Sequence, residues 1–407
     1  MLDGSRLPRF VQLSEWNDQI ETIKAIPARK AVIHMQLLGT NDTLGMLFNI
    51  GFFVFIIVMY LYGAKIQIWQ WLKQIQASLV ELKRMSDESR QSAINTFKKF
   101  GRDETEVAGE LDRWFDYFTI MPVDLDPAGV LQRLDHLLDE RRDRFQEFVA
   151  DLAPSASSSE RQTLENTLEV TQVLGLIFRI VRHFFILGKR TNSQLVIMQV
   201  QMQLPEIMEL AKAYYDAQDA FDEGKPIGDG IGPLIVTKFA REYGGTQENY
   251  VQEISREVGY YPVEVEGRTV FVMRATGPGG TVGKPGFGVQ KLVEEHKGEI
   301  ARIITIDAAL KLEGEDMGRV SEGTGAAIGD PGPEKHAIEE AATKNDISIE
   351  AIVVKENEAA AVSVMEKRIL DAVPEVIERI KESIRKRTKP GDKVILAGIG
   401  NTIGIGL

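Results

Sequence analysis

The chain has 407 residues, which is enough for two or three domains with sizeable hydrophobic cores. It contains no cysteine, and this excludes disulfide bonds, thiolate zinc sites and a cysteine nucleophile. A formal net charge of -12 argues against nucleic acid as a partner, because such binding depends on Lys and Arg side chains that neutralise phosphates.

After residues 1–42, the first predicted element is a membrane-spanning helix over residues 43–64. This stretch has no charged side chain, and a helix of its length crosses the hydrocarbon core of a bilayer. Lys65 and Trp69 follow it closely, as is typical of a membrane interface. The alternative is a buried helix of a soluble protein, which usually carries a charge within such a length. No cleavable signal peptide is expected, because the apolar run begins late and is long.

The basic residues around this helix predict its orientation. Lys65 and Lys73 are the nearest cations, and both follow the span. Because cytoplasmic flanks are enriched in Lys and Arg, we expect the C-terminal bulk of the chain to lie in the cytoplasm. The prediction is a single-pass protein of the cell membrane, with the lipid bilayer as one partner.

Residues 65–221 are predicted to be helical. Apolar residues recur after the span at alternating spacings of four and three, at Ile68, Leu72, Ile75, Leu79 and Leu82. This a/d seam indicates a short coiled coil or one helix of a bundle, and its loss after Met85 favours the bundle. Self-association through these helices is a further expectation.

A second apolar stretch in the helical region runs from Leu168 to Leu187. It contains Arg179 and Arg182, which together would cost roughly 5 to 7 kcal/mol near the centre of a membrane span. We therefore predict a buried helix of the bundle here instead of a second span.

From residue 222 to 407 the pattern changes to short apolar runs, helices and glycine-rich turns, and most of the 36 glycines lie in this part. Such alternation predicts an α/β domain with a mainly parallel sheet. The predicted strands are Pro262–Val265, Thr269–Arg274, Ile300–Ile306, Ala351–Lys355 and Lys393–Gly398. The predicted helices are Pro233–Tyr243, Phe287–Glu295, Pro333–Lys344 and Val373–Arg387. In these sheets ligands gather at the carboxyl ends of strands, where the glycine-rich loops are expected.

Two aspartates are the candidate catalytic residues of this domain. Asp229 lies in a glycine turn that leads into a helix through Pro233, and Asp307 ends an apolar strand. A carboxylate at the end of a buried strand is either functional or a cap for the next segment. The candidate substrate-binding residues lie in this turn and in the last turn of the chain, at Gly228, Gly230, Gly232, Gly398, Gly400 and Asn401.

A Gly/Pro turn before the predicted helix at Pro333 carries Asp330 and His336. These are candidate metal ligands beside Asp229 and Asp307. The alternative is that Asp330 supports the turn and that His336 lies on a solvated helix face. Nucleotide binding gains little support, because neither the C-terminal glycine spacing nor the loop of residues 277–286 fits a phosphate-binding motif.

These segments carry two resemblances. The whole chain resembles an uncharacterised archaeal family of membrane-anchored proteins, domain of unknown function 1512, which implies no activity. The C-terminal domain is similar to the phosphorylase/hydrolase-like fold of the spore germination protease and the hydrogenase-maturation endopeptidases. The similar segments are Asp229–Pro233, Ile306–Ala308, Gly329–Lys335, Ile352–Val354 and Gly398–Asn401. In those families the strand ending in GxGN precedes the acidic loop, so the similarity implies a circular permutation of this domain.

The second resemblance implies that Asp229 and Asp307 occupy acidic positions used for catalysis or for metal binding. Two carboxyl groups in one pocket would share a proton, so that one stays protonated while the other activates water. Alternatively they would hold a divalent metal ion, with Asp330 or His336 as a further ligand. The leading hypothesis is a hydrolase with a protein or peptide substrate. The rival hypothesis is a non-enzymatic membrane scaffold or binding module.

Overall fold

The computed structural model describes residues 43–100, 104–115, 117, 129–277, 279–329 and 332–406. Contacts divide the chain into two compact units, with the boundary between Gln70 and Trp71. The predicted N-terminal segment of residues 1–42 and the candidate ligand Asp330 lie outside the described residues.

Long helices make up the described chain up to residue 222, as predicted. They are α1 (Thr43–Lys98), α2 (Glu104–Phe115), α3 (Val130–Leu152), α4 (Ser158–Thr191) and α5 (Gln194–Asp222). Side chains fix the ends of α4: Ser157 and Glu160 form a capping box at its start, and Asn192 ends it in the left-handed conformation. The serine-rich segment of residues 154–160 therefore contains an ordered helix start.

Beyond Gln70, one face of α1 packs into a bundle with the later helices. Ile75, Leu79 and Leu82 of the predicted seam are buried there, Leu72 is half-buried, and the buried face continues to Phe97. Ser89 interrupts the apolar pattern, but its hydroxyl is 2.8 Å from the Thr171 hydroxyl and accepts a hydrogen bond from Gln218 at 2.7 Å. The seam therefore belongs to one helix of a bundle, and the coiled-coil alternative gains no support.

α4 contains the second apolar stretch of the sequence and buries only one face. Leu168 and Leu174 lie in the core of the bundle, whereas Leu176, Ile180 and Phe184 are exposed. The prediction of a buried helix holds for the first face and is wrong for the second. The reason is that apolar residues extend around more of the helix than its neighbours cover.

Two described segments bear on membrane insertion. By length and composition, α4 is long and apolar enough to cross a bilayer. The predicted span at the start of α1 meets the same criterion only as a broken pair, Gly45–Ile57 with Tyr62–Lys98. Large apolar side chains of residues 46–57 are exposed. The core helix of a soluble protein can meet the same criterion, so membrane anchorage is taken up below as a proposal.

The described chain from residue 231 onward is an α/β domain. Its strands are β1 (Val251–Ser255), β2 (Val258–Val265), β3 (Arg268–Ala275), β4 (Ile300–Leu310), β5 (Val320–Thr324), β6 (Ser348–Glu356) and β7 (Lys393–Gly398). Its helices are α6 (Ile231–Glu242), α7 (Pro285–Glu295), α8 (Pro333–Lys344), α9 (Glu358–Val362), α10 (Lys367–Leu370) and α11 (Val373–Arg387). The five predicted strands and four predicted helices are all present. The two unpredicted strands, β1 and β5, are short, largely exposed edge strands.

The strands form one sheet in the order β1-β2-β3-β7-β4-β6-β5. The four central strands β3, β7, β4 and β6 run parallel. β1, β2 and β5 pair antiparallel with their neighbours at the two sides. β7 follows the other strands in sequence yet lies between β3 and β4, so the turn after Gly398 sits near the middle of the sheet.

Helices cover both faces of this sheet. α6 and α11 pack on one face, where Phe239 and Ile380 join its apolar core. α7 and α8 pack on the other face, where Leu292 and Ile338 join a second core. Because both faces are buried, the parallel strands are apolar on both sides, which is the pattern used to predict them.

Candidate functional site

The carboxyl ends of the parallel strands meet at one edge of the sheet, and this edge is the candidate site. The last residues of β4, the end of β6 and the turn after β7 lie there side by side. The short turn Gly228–Gly230 ahead of α6 packs against them. Such an edge is where open α/β sheets bind ligands, because the connections leave toward opposite faces.

Asp229 is attached to the turn after β7. Its Oδ2 accepts hydrogen bonds from the backbone N–H of Asn401 at 3.2 Å and from the Asn401 side-chain amide at 2.9 Å. Asn401 is buried, and its Oδ1 accepts from the N–H of Ile403 at 3.1 Å. One oxygen of Asp229 is therefore held in place, while the residue as a whole is only half-buried.

Two predicted loop glycines are required by the close approach of these turns. A Cβ atom at Gly232 would overlap the carbonyl oxygens of Ile399 and Ile306. Gly400 has a φ of 132°, and a Cβ atom there would overlap the carbonyl oxygen of Asp229. These glycines thus bring Asp229 against the strand ends, and the role of the loop glycines in substrate binding stays a prediction.

Asp307 lies within β4, which continues to Leu310 instead of ending at the aspartate. Its Oδ1 accepts from the N–H of Ala308 at 2.8 Å, and its Oδ2 accepts from the N–H of Gly329 at 3.3 Å. The residue is 7% exposed. Burial and the nearby charge of Asp229 raise the pKa of Asp307 to about 8, although the two hydrogen bonds oppose this rise. Asp307 is therefore mainly protonated at neutral pH.

Glu356 is a third carboxyl group at this edge, and the sequence analysis missed it. It is the last residue of β6 and is 2% exposed, and neither of its carboxyl oxygens has a hydrogen-bond partner. It lies against the Gly228 turn, since a Cβ atom at Gly228 would overlap Glu356 Oε2. Burial, followed by the charges of Asp229 and Asp307, raises the pKa of Glu356 to about 8.

A sequence signal for Glu356 exists. It ends an apolar strand, as Asp307 was expected to do, but Lys355 and Glu358 beside it make the segment look like a solvated turn. Only the packing of the Gly228 turn onto the strand end buries this carboxyl group. We call Asp229, Asp307 and Glu356 the acid cluster.

The acid cluster combines proton donors with a proton acceptor. Asp307 and Glu356 retain their protons near neutral pH, because ionising either would add a charge beside Asp229 in a buried place. A protonated and an ionised carboxyl group in one site is the arrangement used for general acid and base catalysis.

The predicted metal ligands do not all come together. His336 is exposed on α8, and its charge acts on Glu340 of the same helix. Asp330 lies outside the described residues. In the parts of the chain that the structure describes, no group of three or more His, Asp or Glu side chains is placed to hold a metal ion. The metal site predicted at Asp229, Asp307, Asp330 and His336 therefore stays a prediction, and we assign no chemical step to a metal.

Tyr214 of α5 is a residue of the helical region on which the charge of Asp229 acts. Burial raises the pKa of the Tyr214 hydroxyl, and the charges of Glu169, Glu358 and Asp229 add to this rise. Asp229 thus lies near a side chain from a different part of the sequence. The sequence analysis did not identify Tyr214, because the pattern of α5 does not show which of its tyrosines faces the α/β domain.

A cavity of about 650 Å³ opens between α3, α4 and the loop before α7, and its lining does not include the acid cluster. Several of its cations are used in ion pairs that join the helices to the α/β domain. Arg142 lies 2.6 Å from Glu257, and Lys284 lies 2.7 Å from Asp135. The loop of residues 277–286 lines this cavity, and the N–H of Gly280 donates to Asn166 at 3.1 Å. The loop therefore serves contacts within the protein.

Comparison with known families gives two adjoining matches. Residues 49–224 match the protein of unknown function (DUF1512) N-terminal domain, and residues 227–406 match the domain of unknown function (DUF1512) C-terminal. No curated protein matches the chain.

Proposed function

The chain belongs to the DUF1512 family, and we propose that it is a membrane-anchored hydrolase whose α/β domain acts on a protein or peptide substrate. The observation that carries this proposal is the acid cluster at the ligand-binding edge of the sheet. Burying carboxyl groups without partners lowers the stability of a fold, so such groups point to a functional role.

In this proposal the three carboxyl groups have different tasks. Asp229 is the most accessible, and its ionised form accepts a proton from the attacking water. Asp307 keeps its proton at neutral pH and donates it to the leaving group. Glu356 is almost fully buried against the Gly228 turn, so it acts as a positioning residue that holds this turn at the strand ends.

Asn401 is a second positioning residue of this mechanism. Its side-chain amide and its backbone N–H both donate to one oxygen of Asp229, which leaves the other oxygen for water. Because Asn401 is held by the sharp turn at Gly400, the orientation of Asp229 depends on the turn that closes β7.

The anchor of the proposed hydrolase is the apolar start of α1. The exposed apolar side chains of residues 46–57 support this assignment, since they have no protein partner to cover them in the described structure. With Lys65 and Lys73 following the span, the α/β domain lies in the cytoplasm. Protease added outside sealed, right-side-out vesicles should leave the C-terminal domain intact, and its digestion would contradict this orientation.

The test of the activity uses the full chain in lipid vesicles and a pool of fluorogenic peptides at pH 7. Asp229→Asn and Asp307→Asn should each lower the cleavage rate by at least about 100-fold, which is the usual contribution of a general acid or base. The matched control is Asp346→Asn, because Asp346 is exposed in the same domain and has a φ of 53°, which asparagine tolerates.

Full cleavage by both site variants would contradict the proposed roles. A folded wild-type chain that cleaves no peptide in the pool would contradict the peptidase assignment and favour the scaffold. Circular dichroism of each variant separates loss of chemistry from loss of folding.

A further inference from the structure

The hairpin made by α4 and α5 carries no acidic side chain at one of its ends. No Asp or Glu occurs between Glu169 and Glu206, although the chain contains 60 acidic residues. The same interval contains four basic residues and one histidine, which are Arg179, Arg182, Lys189, Arg190 and His183. Charge is thus segregated within a protein that is acidic overall. We call residues 176–202 of this hairpin the hairpin end.

The hairpin end also exposes large apolar side chains. These are Leu176, Ile180, Phe184 and Ile186 of α4, and Leu195, Met198 and Met202 of α5. Leu195 has 65% of its surface exposed. A surface on which many large apolar groups alternate with cations is typical of helices that lie at a membrane interface.

The neighbouring part of α1 extends this acid-free surface. The side-chain amide of Gln201 donates to Gln74 Oε1 at 2.7 Å, so the hairpin end packs beside α1 near the start of the second unit. From Thr43 up to Glu81, α1 likewise carries no acidic residue. In sequence, this part of α1 directly follows the apolar stretch of residues 43–64.

We propose that the hairpin end binds an anionic lipid surface and lies in the interface of the bilayer. This inference rests on the membrane anchorage proposed above, because the same helix α1 supplies both the anchor and the neighbour of the hairpin end. The apolar side chains enter the boundary between headgroups and acyl chains, while Arg182, Lys189 and Arg190 stay at the lipid phosphates.

The packing of α4 opposes a full crossing of the bilayer. Thr171 of α4 and Gln218 of α5 both contact Ser89 of α1, so the hairpin is held to the bundle by buried polar contacts. Arg179 and Arg182 lie within the apolar stretch of α4, where a crossing helix would place them in the hydrocarbon. At an interface the guanidinium group of Arg182 reaches lipid phosphates instead, while that of Arg179 donates to the Phe115 carbonyl oxygen at 3.3 Å.

The absence of cysteine allows a direct test with single introduced thiols. The full chain is reconstituted into vesicles of phosphatidylcholine and phosphatidylglycerol in equal parts, with brominated acyl chains that quench a nearby fluorophore. A label at Leu195→Cys reports the hairpin end, and a label at Phe53→Cys reports the anchor. A label at Leu312→Cys is the matched control, since Leu312 is an exposed leucine of the α/β domain.

We expect bromolipid to quench the label at position 195, at interfacial depth, and to leave the label at position 312 bright. Each Lys or Arg near an anionic surface contributes about fivefold to binding. Replacing Arg182, Lys189 and Arg190 by Gln should therefore lower the ratio of the membrane-bound to the unbound hairpin end roughly 100-fold. The charge-matched control replaces three exposed cations of the α/β domain, Lys344, Arg368 and Lys386, and should leave the quenching unchanged.

Four outcomes would overturn the inference. A bright label at position 195 beside a quenched label at position 53 refutes the hairpin contact and leaves the anchorage standing. Bright labels at both positions refute the anchorage as well. Quenching of position 195 at the depth of the bilayer centre shows a second span. A label at position 195 that is shielded before lipid is added shows that a second copy or another protein covers the hairpin end.

Discussion

Glu350 and Glu356 lie on the same strand, β6, and both are almost fully buried, yet their surroundings are opposite. At the amino end of the strand, Glu350 is 4% exposed, and one of its carboxylate oxygens has both a cationic and a hydroxyl partner. Its Oε2 is 3.1 Å from Arg302 Nη1 and accepts a hydrogen bond from the Ser383 hydroxyl at 2.5 Å. At the carboxyl end, Glu356 has no hydrogen-bond partner, and the charges that act on its pKa are those of other carboxylates.

This difference distinguishes a carboxylate with a structural role from one for which we propose a functional role. A buried charge in a structural role is paired and hydrogen-bonded, because an unpaired one lowers stability by several kcal/mol. The amino end of the sheet follows that rule. The carboxyl end departs from it at Glu356 and partly at Asp307, where the Gly228 turn and the turn after β7 press carboxyl groups together. An uncompensated cost of this kind is expected where a fold is shaped for chemistry.

The largest expected effect comes from exchanging each glutamate for its neutral isostere. Glu350→Gln leaves the Arg302 guanidinium without its buried counter-charge, so the free energy of unfolding should fall by about 3 kcal/mol. Glu356→Gln removes a carboxyl group that other acids repel, so at pH 8 stability should stay equal or rise. Urea unfolding of both variants at pH 8 measures this contrast, and equal losses would remove the distinction between the two ends.

A backbone change tests whether packing alone builds the carboxyl end. In Gly232→Ala the new methyl group overlaps the carbonyl oxygens of Ile399 and Ile306, so unfolding free energy should fall by about 1–3 kcal/mol. The matched control is Gly323→Ala in β5, where a Cβ atom meets no neighbouring atom within 4 Å. A neutral Gly232→Ala variant would show that the turn can move away without loss.

The dependence of stability on pH sharpens the comparison further. The pKa of Asp307 is about 8 in the folded protein and 3.8 as an ordinary value, so the folded state holds a proton that the unfolded state has lost between these pH values. Stability should therefore fall as pH rises from about 4 to about 8, by up to about 1.4 kcal/mol per pH unit for this group. Asp307→Asn should remove the contribution of this group to the slope of unfolding free energy against pH.

The control for the pH experiment is Asp346→Asn, whose carboxylate is exposed. This variant should keep the wild-type slope when unfolding is measured in urea at several pH values. An Asp307→Asn variant with an unchanged slope would show that Asp307 is ionised in the folded protein.

The smallest expected effect concerns the outer partner of Glu350. Arg387 is 53% exposed and lies 3.6 Å from the Glu350 carboxylate, so Arg387→Gln should change unfolding free energy by less than about 1 kcal/mol. Arg302→Gln, which removes the buried partner, should cost several times more. If both variants lost the same free energy of unfolding, the ion pair with Arg302 would not be the main stabilising contact of Glu350.

The sequence predicted much of the fold because several patterns are local. Apolar runs of the length of a strand gave β2, β3, β4, β6 and β7, since both faces of a parallel sheet are buried. The turn at Pro333 marked a helix start, because proline is favoured in the first helical turn. β1 and β5 escaped prediction, since a short exposed edge strand has no buried face to enforce a pattern.

Within the candidate site, the sequence by itself determined that Asp307 belongs to an apolar strand and Asp229 to a glycine turn, but it ended the strand too early. It could not decide which faces of the helices are covered, so it predicted a buried bundle helix at α4 without locating the exposed apolar face. It also passed over Glu356 and Tyr214. Whether a carboxyl group is solvated or trapped depends on which distant segment packs over it. Only the tertiary structure decided that Asp229, Asp307 and Glu356 lie close together. It does so because the Gly228 turn packs against the ends of β6 and β7.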